Sequence, residues 1–272
     1  MARIMSLSEA IDQHVQDGDL LAMEGFSHLI PFAAAHEVIR QGKRELRLAR
    51  MTPDLSYDQL VGAGCAAELI FSWGGNPGVG SLHRIRDAIE NSWPRPLRIN
   101  ERSHAAMAHA YAAGAAGLPF AMYRSDLASG LREVNPDLRT IACPYTGQTL
   151  ATVPALRPDV TIVHAHRADR KGNVFLEGIP GVIKEAVLAA RRAIVTVEEV
   201  VDDLDVPSPN SLVLPAWTIT AVAEVPGGAW PSYVQGRYRR DNAFYQEWDR
   251  ISRDRDRFGE WVEEQVLRSE GR

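Results

Sequence analysis

Short apolar runs alternate with helical stretches through most of this chain, and that alternation limits the folds open to it more than any other feature. Leu20–Met23, "LRLARM" (46–51), "AELIFSW" (67–73), "LRIN" (97–100), "PDVTIVHAHRAD" (158–169) and "RAIVTVEEVV" (192–201) read as strands. Between them, "FAAAHEVIRQG", "LSYDQLVGAG", "LHRIRDAIENSW", the Ala-rich "SHAAMAHAYAAGAAG" and "VIKEAVLAA" read as helices, the first closed by Gly42. Ahead of the first strand, Ser6-Leu7-Ser8-Glu9 fits a capping box, whose helix stops at Asp17-Gly18. Parallel strands need a crossover connection, usually a helix. The pattern therefore predicts an α/β fold: an open, mostly parallel sheet with helices on both faces. No repeat or polar linker divides the chain, so we expect a single domain over 1–272. Around 124–157 the helices give way to turns and short strands, which reads as an irregular insert, and a helical tail is expected over about 240–270.

Composition narrows the function. The chain has 272 residues, 45% of them hydrophobic, and a formal net charge of −5. It is long enough for a substantial core and carries no basic stripe for nucleic acid. The Arg-rich segment "GRYRRDNAFYQEWDRISRDRDRFGEW" interleaves its charges with acids and reads as a solvated helix. Cys65 and Cys143 match no metal spacing and suggest a reducing compartment. No apolar run approaches the roughly 18 residues of a membrane span, and the N-terminus has no apolar leader segment. The expectation is a soluble cytoplasmic protein with no membrane and no nucleic-acid partner.

In an open parallel sheet, ligands bind at the carboxyl ends of the strands. The segments placed there are Glu24–Pro31, Thr52–Asp54, Gly74–Ser81, Glu101–His104 and His164–Asn173. In "DGDLLAMEGFSHLIP" (17–31) an acid, Glu24, stands where the backbone opens at Gly25 and Phe26. "WGGNPGVGS" (73–81) has more glycines than one turn needs, and its amides can face an anion or carbonyl oxygen at a helix N-terminus. It lacks the P-loop lysine and the dinucleotide-binding glycine spacing. In "ERSH" (101–104), Ser103 is the better helix cap, which leaves Glu101 free to act as base or nucleophile; a capping role for Glu101 stands beside that reading. His164 and His166 share one side of a strand, with no acid or Cys at a telling spacing, so a hydrogen-bonded core pair is expected. "PGGAWPS" (226–232) reads as a loop, and His28, His36 and His83 show no partner, so a structural or solvated role is the default for each.

Taken in order, these segments resemble the α (A) subunit of family I CoA-transferases, of the glutaconate CoA-transferase A-subunit type. The resemblance runs from "SLSEAIDQHVQDGDLLAMEGFSHLIPFAAAHEVIRQG" through "AAGAAGLPF" (112–120), "VPALRPDVTIVHAHRADRKGNV" (153–174) and "AIVTVEE" (193–199) to "PGGAWPS". It implies a three-layer, NagB/RpiA-like fold and an obligate β (B) subunit, in an αβ or α2β2 assembly with the active site between the chains. It also implies a CoA thioester as substrate, with no covalently bound cofactor and no metal. The catalytic glutamate, on the β chain, attacks the acyl-CoA, and CoA then passes to a carboxylic acid through a glutamyl-CoA intermediate. The α chain supplies acyl-pocket walls and backbone N–H groups for the oxyanion. On this chain the resemblance points to Gly25 and Phe26 in that loop, with Ser27 and His28 lining the acyl end and Gly74, Gly75, Asn76 and Gly78 facing them.

Two departures fall in the same loop: Glu24 replaces the first glycine of the family's Gly-Gly-Phe, and the stretch from Phe26 to Pro31 is about one residue short. Glu24 is therefore expected to reshape or polarise the pocket. Relatives of this fold include ring-opening hydrolases and a decarboxylase of CoA esters. The resemblance matches Glu101 with the working glutamate of the ring-opening hydrolases, which makes an acyl-CoA hydrolase or lyase with Glu101 as base the alternative. A non-catalytic ligand-sensing module is a minor third reading. Cations at Arg50, Arg102 and Arg124 suit a dicarboxylate substrate.

Overall fold

A computed structural model describes residues 2–77, 79–204 and 209–268. In chain order the strands are β1 (Arg3–Ile4), β2 (Leu20–Glu24), β3 (Leu46–Ala49), β4 (Ala66–Phe71), β5 (Arg98–Glu101), β6 (Phe120–Tyr123), β7 (Arg139–Ala142), β8 (Thr149–Pro154), β9 (Val160–Asp169), β10 (Val174–Glu177), β11 (Arg192–Val201), β12 (Ser211–Leu214) and β13 (Ala221–Glu224). The helices are α1 (Leu7–His14), α2 (Phe32–Arg40), α3 (Leu55–Gly62), α4 (His83–Asn91), α5 (His104–Ala115), α6 (Leu131–Val134), α7 (Ile183–Ala189), α8 (Asn242–Arg253) and α9 (Arg255–Trp261). Ser6 caps α1 in the predicted capping box, and Gly42 takes a left-handed φ of 65° just past α2, a conformation that glycine adopts without penalty.

The main sheet runs β1-β13-β11-β9-β2-β3-β4-β5 with every pair in that path parallel, and β10 and β12 add an antiparallel flank beside β9. Side-chain alternation sorts each strand between two faces. Leu21 and Met23 of β2 pack with Leu48, Leu69 and the apolar faces of α1–α4. Leu20 and Ala22 pack on the other face with Ala49, Ile70 and the small residues of α5 and α7. The Ala-rich α5 packs one face, Ala106, Met107, Ala110 and Tyr111, between this sheet and the separate antiparallel sheet β6-β8-β7.

Three parts differ from expectation. The stretch around 124–157 is more regular than an irregular insert: β8 pairs with both β6 and β7, with Tyr123, Ala151 and Val153 turned inward on α5. The C-terminal tail is not a solvated helix. Its charges do interleave, but Tyr245, Trp248, Phe258 and Trp261 recur at helical spacing and are buried in the main core. One carboxylate fastens that tail. Asp58 on α3 accepts from Trp248 Nε1 at 3.0 Å and from the amides of Arg84 and Ile85 at 2.9 and 2.8 Å, and its burial pushes its pKa up to about 7 against those bonds. Lastly, β9 runs to Asp169, so His164 and His166 lie inside the strand and only the turn Arg170–Asn173 follows it.

Candidate active site

The rim of the sheet at the ends of β2 and β3 holds an unusual concentration of buried charge. Glu24 shares strand parity with Leu20 and Ala22, so its side chain turns toward α5 and away from the opening of the loop. Its Oε1 accepts from the Tyr111 hydroxyl at 2.8 Å and from the Met51 amide at 3.0 Å. The residue is 3% exposed. Burial pushes its carboxyl up to about 7, against the pull of Arg50 and the two hydrogen bonds.

Arg50, just past β3, is also buried. It donates to Asp54 Oδ1 at 2.8 Å, to Ser56 Oγ at 3.2 Å and to the Gly25 carbonyl at 3.1 Å. A guanidinium can serve three acceptors from one planar fork, which a lysine cannot. Asp54 in turn caps α3 through the Ser56 amide.

Above these charges the loop Gly25–Pro31 folds tightly on itself. A Cβ at Gly25 would lie 2.6 Å from the Leu29 carbonyl oxygen, so only glycine fits. Ser27 and Leu29 both adopt φ of 54°, a strained conformation for leucine that persists only where the surroundings enforce it. They do so here. The Leu29 amide donates to Tyr233 O at 3.1 Å, the Leu29 side chain is buried, and Ser232 Oγ donates to Ser27 O at 3.1 Å. Phe26 and Ser27 form the exposed tip.

His28 points inward. Its ring stacks on Tyr233 at 5.3 Å and Nε2 donates to Ile179 O at 2.9 Å. Burial lowers its pKa. Its ring is thus part of the loop's packing, with Gly178 so close that a Cβ there would meet it at 2.7 Å.

The segment holding Ser232 and Tyr233 is itself clasped. Glu198 on β11 receives the Tyr238 hydroxyl at 2.8 Å and the Gly227 amide at 3.0 Å, and pairs with His164 Nε2 at 2.8 Å. His164 Nδ1 lies 2.8 Å from Thr196 Oγ1, and His166 is bonded to Gln235 O and the Glu177 amide. The two histidines are therefore core hydrogen-bonding groups, and His164 has an acidic partner, Glu198, 34 residues away that local spacing did not reveal. Among the described residues no cluster of His, Cys, Asp and Glu could hold a metal ion.

The other predicted groups lie elsewhere on the same rim. Gly74, Gly75 and Asn76 line an apolar cleft of about 420 Å³ with Trp73, Phe71, Leu82, Ile85 and Ile89. Their loop is tied to the Pro53 carbonyl through the Gly75 amide and to Tyr245 O through Asn76 Nδ2. Gly78 lies outside the described residues. Glu101 ends β5, paired with Phe71, and its side chain is exposed. Ser103 caps α5, as its residue type suggested. Three ladder steps separate β5 from β2, roughly 14 Å at the usual strand spacing, so Glu101 and the Gly25 loop share a rim without touching. Of the three cations, Arg50 joins the loop, Arg102 is buried against Asp137, and Arg124 bonds Gln148 at the surface. Tyr111, Ser232 and Tyr233 carried no sequence signal for their roles.

Residues 4–225 match the family model for coenzyme A transferase. The chain is 61% identical over 266 residues to the A subunit of 3-oxoadipate CoA-transferase from Pseudomonas knackmussii, covering 98% of this chain and 94% of that protein. The crystal structure of glutaconate coenzyme A-transferase from Acidaminococcus fermentans superposes with a TM-score of 0.91 at 28% identity, over 99% of this chain and 90% of that one. The decarboxylase AibA/AibB superposes at 0.85 with 32% identity, over 98% and 99%. A parallel sheet with its charged rim under a glycine loop, a family match over most of the length and near-complete coverage of a close relative lead to one conclusion: the chain belongs to the coenzyme A transferase family.

Proposed function

We propose that this chain is the α (A) subunit of a heteromeric CoA-transferase that moves CoA between an acyl-CoA and 3-oxoadipate or a closely similar dicarboxylate. The observation that carries the reading is the 61% identity, over nearly the full length of both chains, to a protein named for that reaction. The fold supports it with a tip, Gly25–Leu29, whose backbone is held from both sides while Phe26 and Ser27 stay exposed. In this reading the β (B) subunit brings the glutamate that attacks the thioester and carries CoA as glutamyl-CoA. Gly25, Phe26 and Ser27 offer backbone N–H groups to the oxyanion of the tetrahedral intermediate, and His28 acts by packing the loop. Glu24 shapes this site from beneath. Gly74, Gly75 and Asn76 form a wall further along the rim. Coenzyme A enters as a thioester substrate, and the reaction needs no resident cofactor. Two free cysteines and the absence, among the described residues, of any helix able to cross a membrane fit a cytosolic enzyme.

Coexpression with the β subunit, followed by incubation with an acyl-CoA and 3-oxoadipate, tests this directly. The expected result is 3-oxoadipyl-CoA formed in step with loss of the donor thioester. Release of free CoA without acyl exchange would sink the transferase reading. It would favour the second one, a CoA-ester hydrolase using Glu101, whose side chain stands exposed at the end of β5.

A further inference from the structure

The two sheets of this chain are covered differently. The main sheet has helices packed on both faces. The small sheet β6-β8-β7 packs one face on α5 and turns the other outward. Strand alternation and register define that outer face. Phe120 lies opposite Pro154, Met122 and Arg139 lie opposite Thr152, and Ile141 lies opposite Leu150. Phe120, Met122 and Ile141 are 39%, 49% and 39% exposed, and Leu118, just before β6, is 52% exposed. No Lys, Asp or Glu interrupts the three strands. Contiguous exposed apolar side chains mark an interaction site, and aromatic residues, Met and Arg without Lys or acids match the composition of an interface core. Three exposed cations border the face. Arg124 donates to Gln148 Oε1 at 3.3 Å, Arg139 to Pro136 O at 3.3 Å and Arg157 to Leu118 O at 3.0 Å. Among the described residues none of the three pairs with a carboxylate.

We propose that the outer face of β6-β8-β7 is a docking surface for the β (B) subunit, which meets it with an apolar centre and a rim of carboxylates. This rests on the heteromer reading above. Charge selects that occupant over a second copy of the chain. A two-fold contact sets the same patch against itself. Arg124, Arg139 and Arg157 would then face their own kind, with no acid on the strands to neutralise them, and like charges across an interface suppress the pairing. The surface is also joined to the rim that carries the candidate site. Between α6 and β7, Asn135 Nδ2 donates to the Glu101 carbonyl at 2.7 Å, and Asp137 accepts from Asn100 at 2.9 Å and Arg102 at 3.1 Å. A subunit seated on the small sheet is thus coupled to the end of β5.

The test coexpresses the full chain with its β subunit. Copurification of the wild-type pair is the control; without it the heteromer reading falls, and this proposal with it. With the heteromer in hand, Met122→p-benzoylphenylalanine is expected to give an adduct with the β chain on illumination. An adduct with a second copy of this chain, or none, overturns the proposal while the heteromer reading stands. Met122→Glu places a charge at the centre of the face and is expected to weaken assembly about thirty-fold, read as loss of heteromer on dilution. Arg139→Glu should weaken it about ten-fold at low ionic strength, and by less as salt is added. Met122 and Arg139 are both exposed, so the chain itself should stay folded; where a variant does not, the photo-adduct decides. Assembly of either folded variant at wild-type strength in low salt overturns the proposal.

Discussion

Glu24 and Glu101 end two parallel strands of one sheet, yet they live in different media. Glu24 is buried, bonded to Tyr111 and Met51, and has its carboxyl pushed up to about 7. Glu101 stands exposed, and its backbone carbonyl accepts from Asn135 Nδ2 at 2.7 Å. Position at a strand end fixes the neighbourhood of an acid, while parity and the covering helix decide whether it faces the crevice or the core. An acid beside a glycine loop can therefore belong to the loop's foundations.

The contrast is most exposed to attack between the two strands, at the loop itself. Gly25→Ala puts a Cβ against the Leu29 carbonyl oxygen, and transferase activity is expected to fall on the order of a hundred-fold or more. A near-normal exchange rate would mean that the loop does not hold its described shape. Next in size is Glu24→Ala, which leaves the Tyr111 hydroxyl and Met51 amide without an acceptor. It should cost about 2–3 kcal/mol in urea unfolding, while Glu101→Ala stays within about 0.5 kcal/mol. Equal losses would erase the contrast.

A titration of stability makes the difference measurable. Glu24 has a folded pKa of about 7 against an ordinary 4.5. Its contribution is full below the ordinary value and lost as pH rises through 7, by at most about 3 kcal/mol. Glu24→Gln should therefore show a smaller loss between about pH 5 and 8 than the wild type. Asp58, also raised to about 7, declines alike in both proteins, and His36, pushed down to about 4 by burial, works the opposite way. The difference between the two melting curves isolates Glu24. The smallest expected effect is Glu101→Gln on CoA exchange, within a few-fold; a loss of about a hundred-fold would make Glu101 the working base.

Much of the fold could be read from local rules. The capping box at Ser6 and Glu9 and the glycine after α2 mark helix ends by chemistry confined to a few residues. β11 occupies the span its apolar run defined. The departures have physical causes. In the C-terminal tail, charges alternate along the surface while the aromatic spacing of Tyr245, Trp248, Phe258 and Trp261 governs burial. The two-residue β1 is too short for any period to show. At the Gly25–Leu29 loop, the break in the strand was legible in the sequence and the support of the loop was not. Ser232 and Tyr233 reach the loop across some two hundred residues of sequence, and nothing local to either marks the contact. The inward turn of Glu24 was accessible in principle, since it shares parity with Leu20 and Ala22.

The Trp248–Asp58 bond that fastens the tail also sets the order in which the molecule can finish folding. It joins residues 190 positions apart, and β2 waits for β9 just as β1 waits for β13. As the chain leaves the ribosome, β2–β5 and their helices emerge with one sheet edge open and an apolar helical face uncovered. Closure comes only with the last aromatic residues. A chain that stops before β9 is thus left as a half-sheet with an open edge, and one that stops before Trp248 has every strand made but an apolar helical face still uncovered.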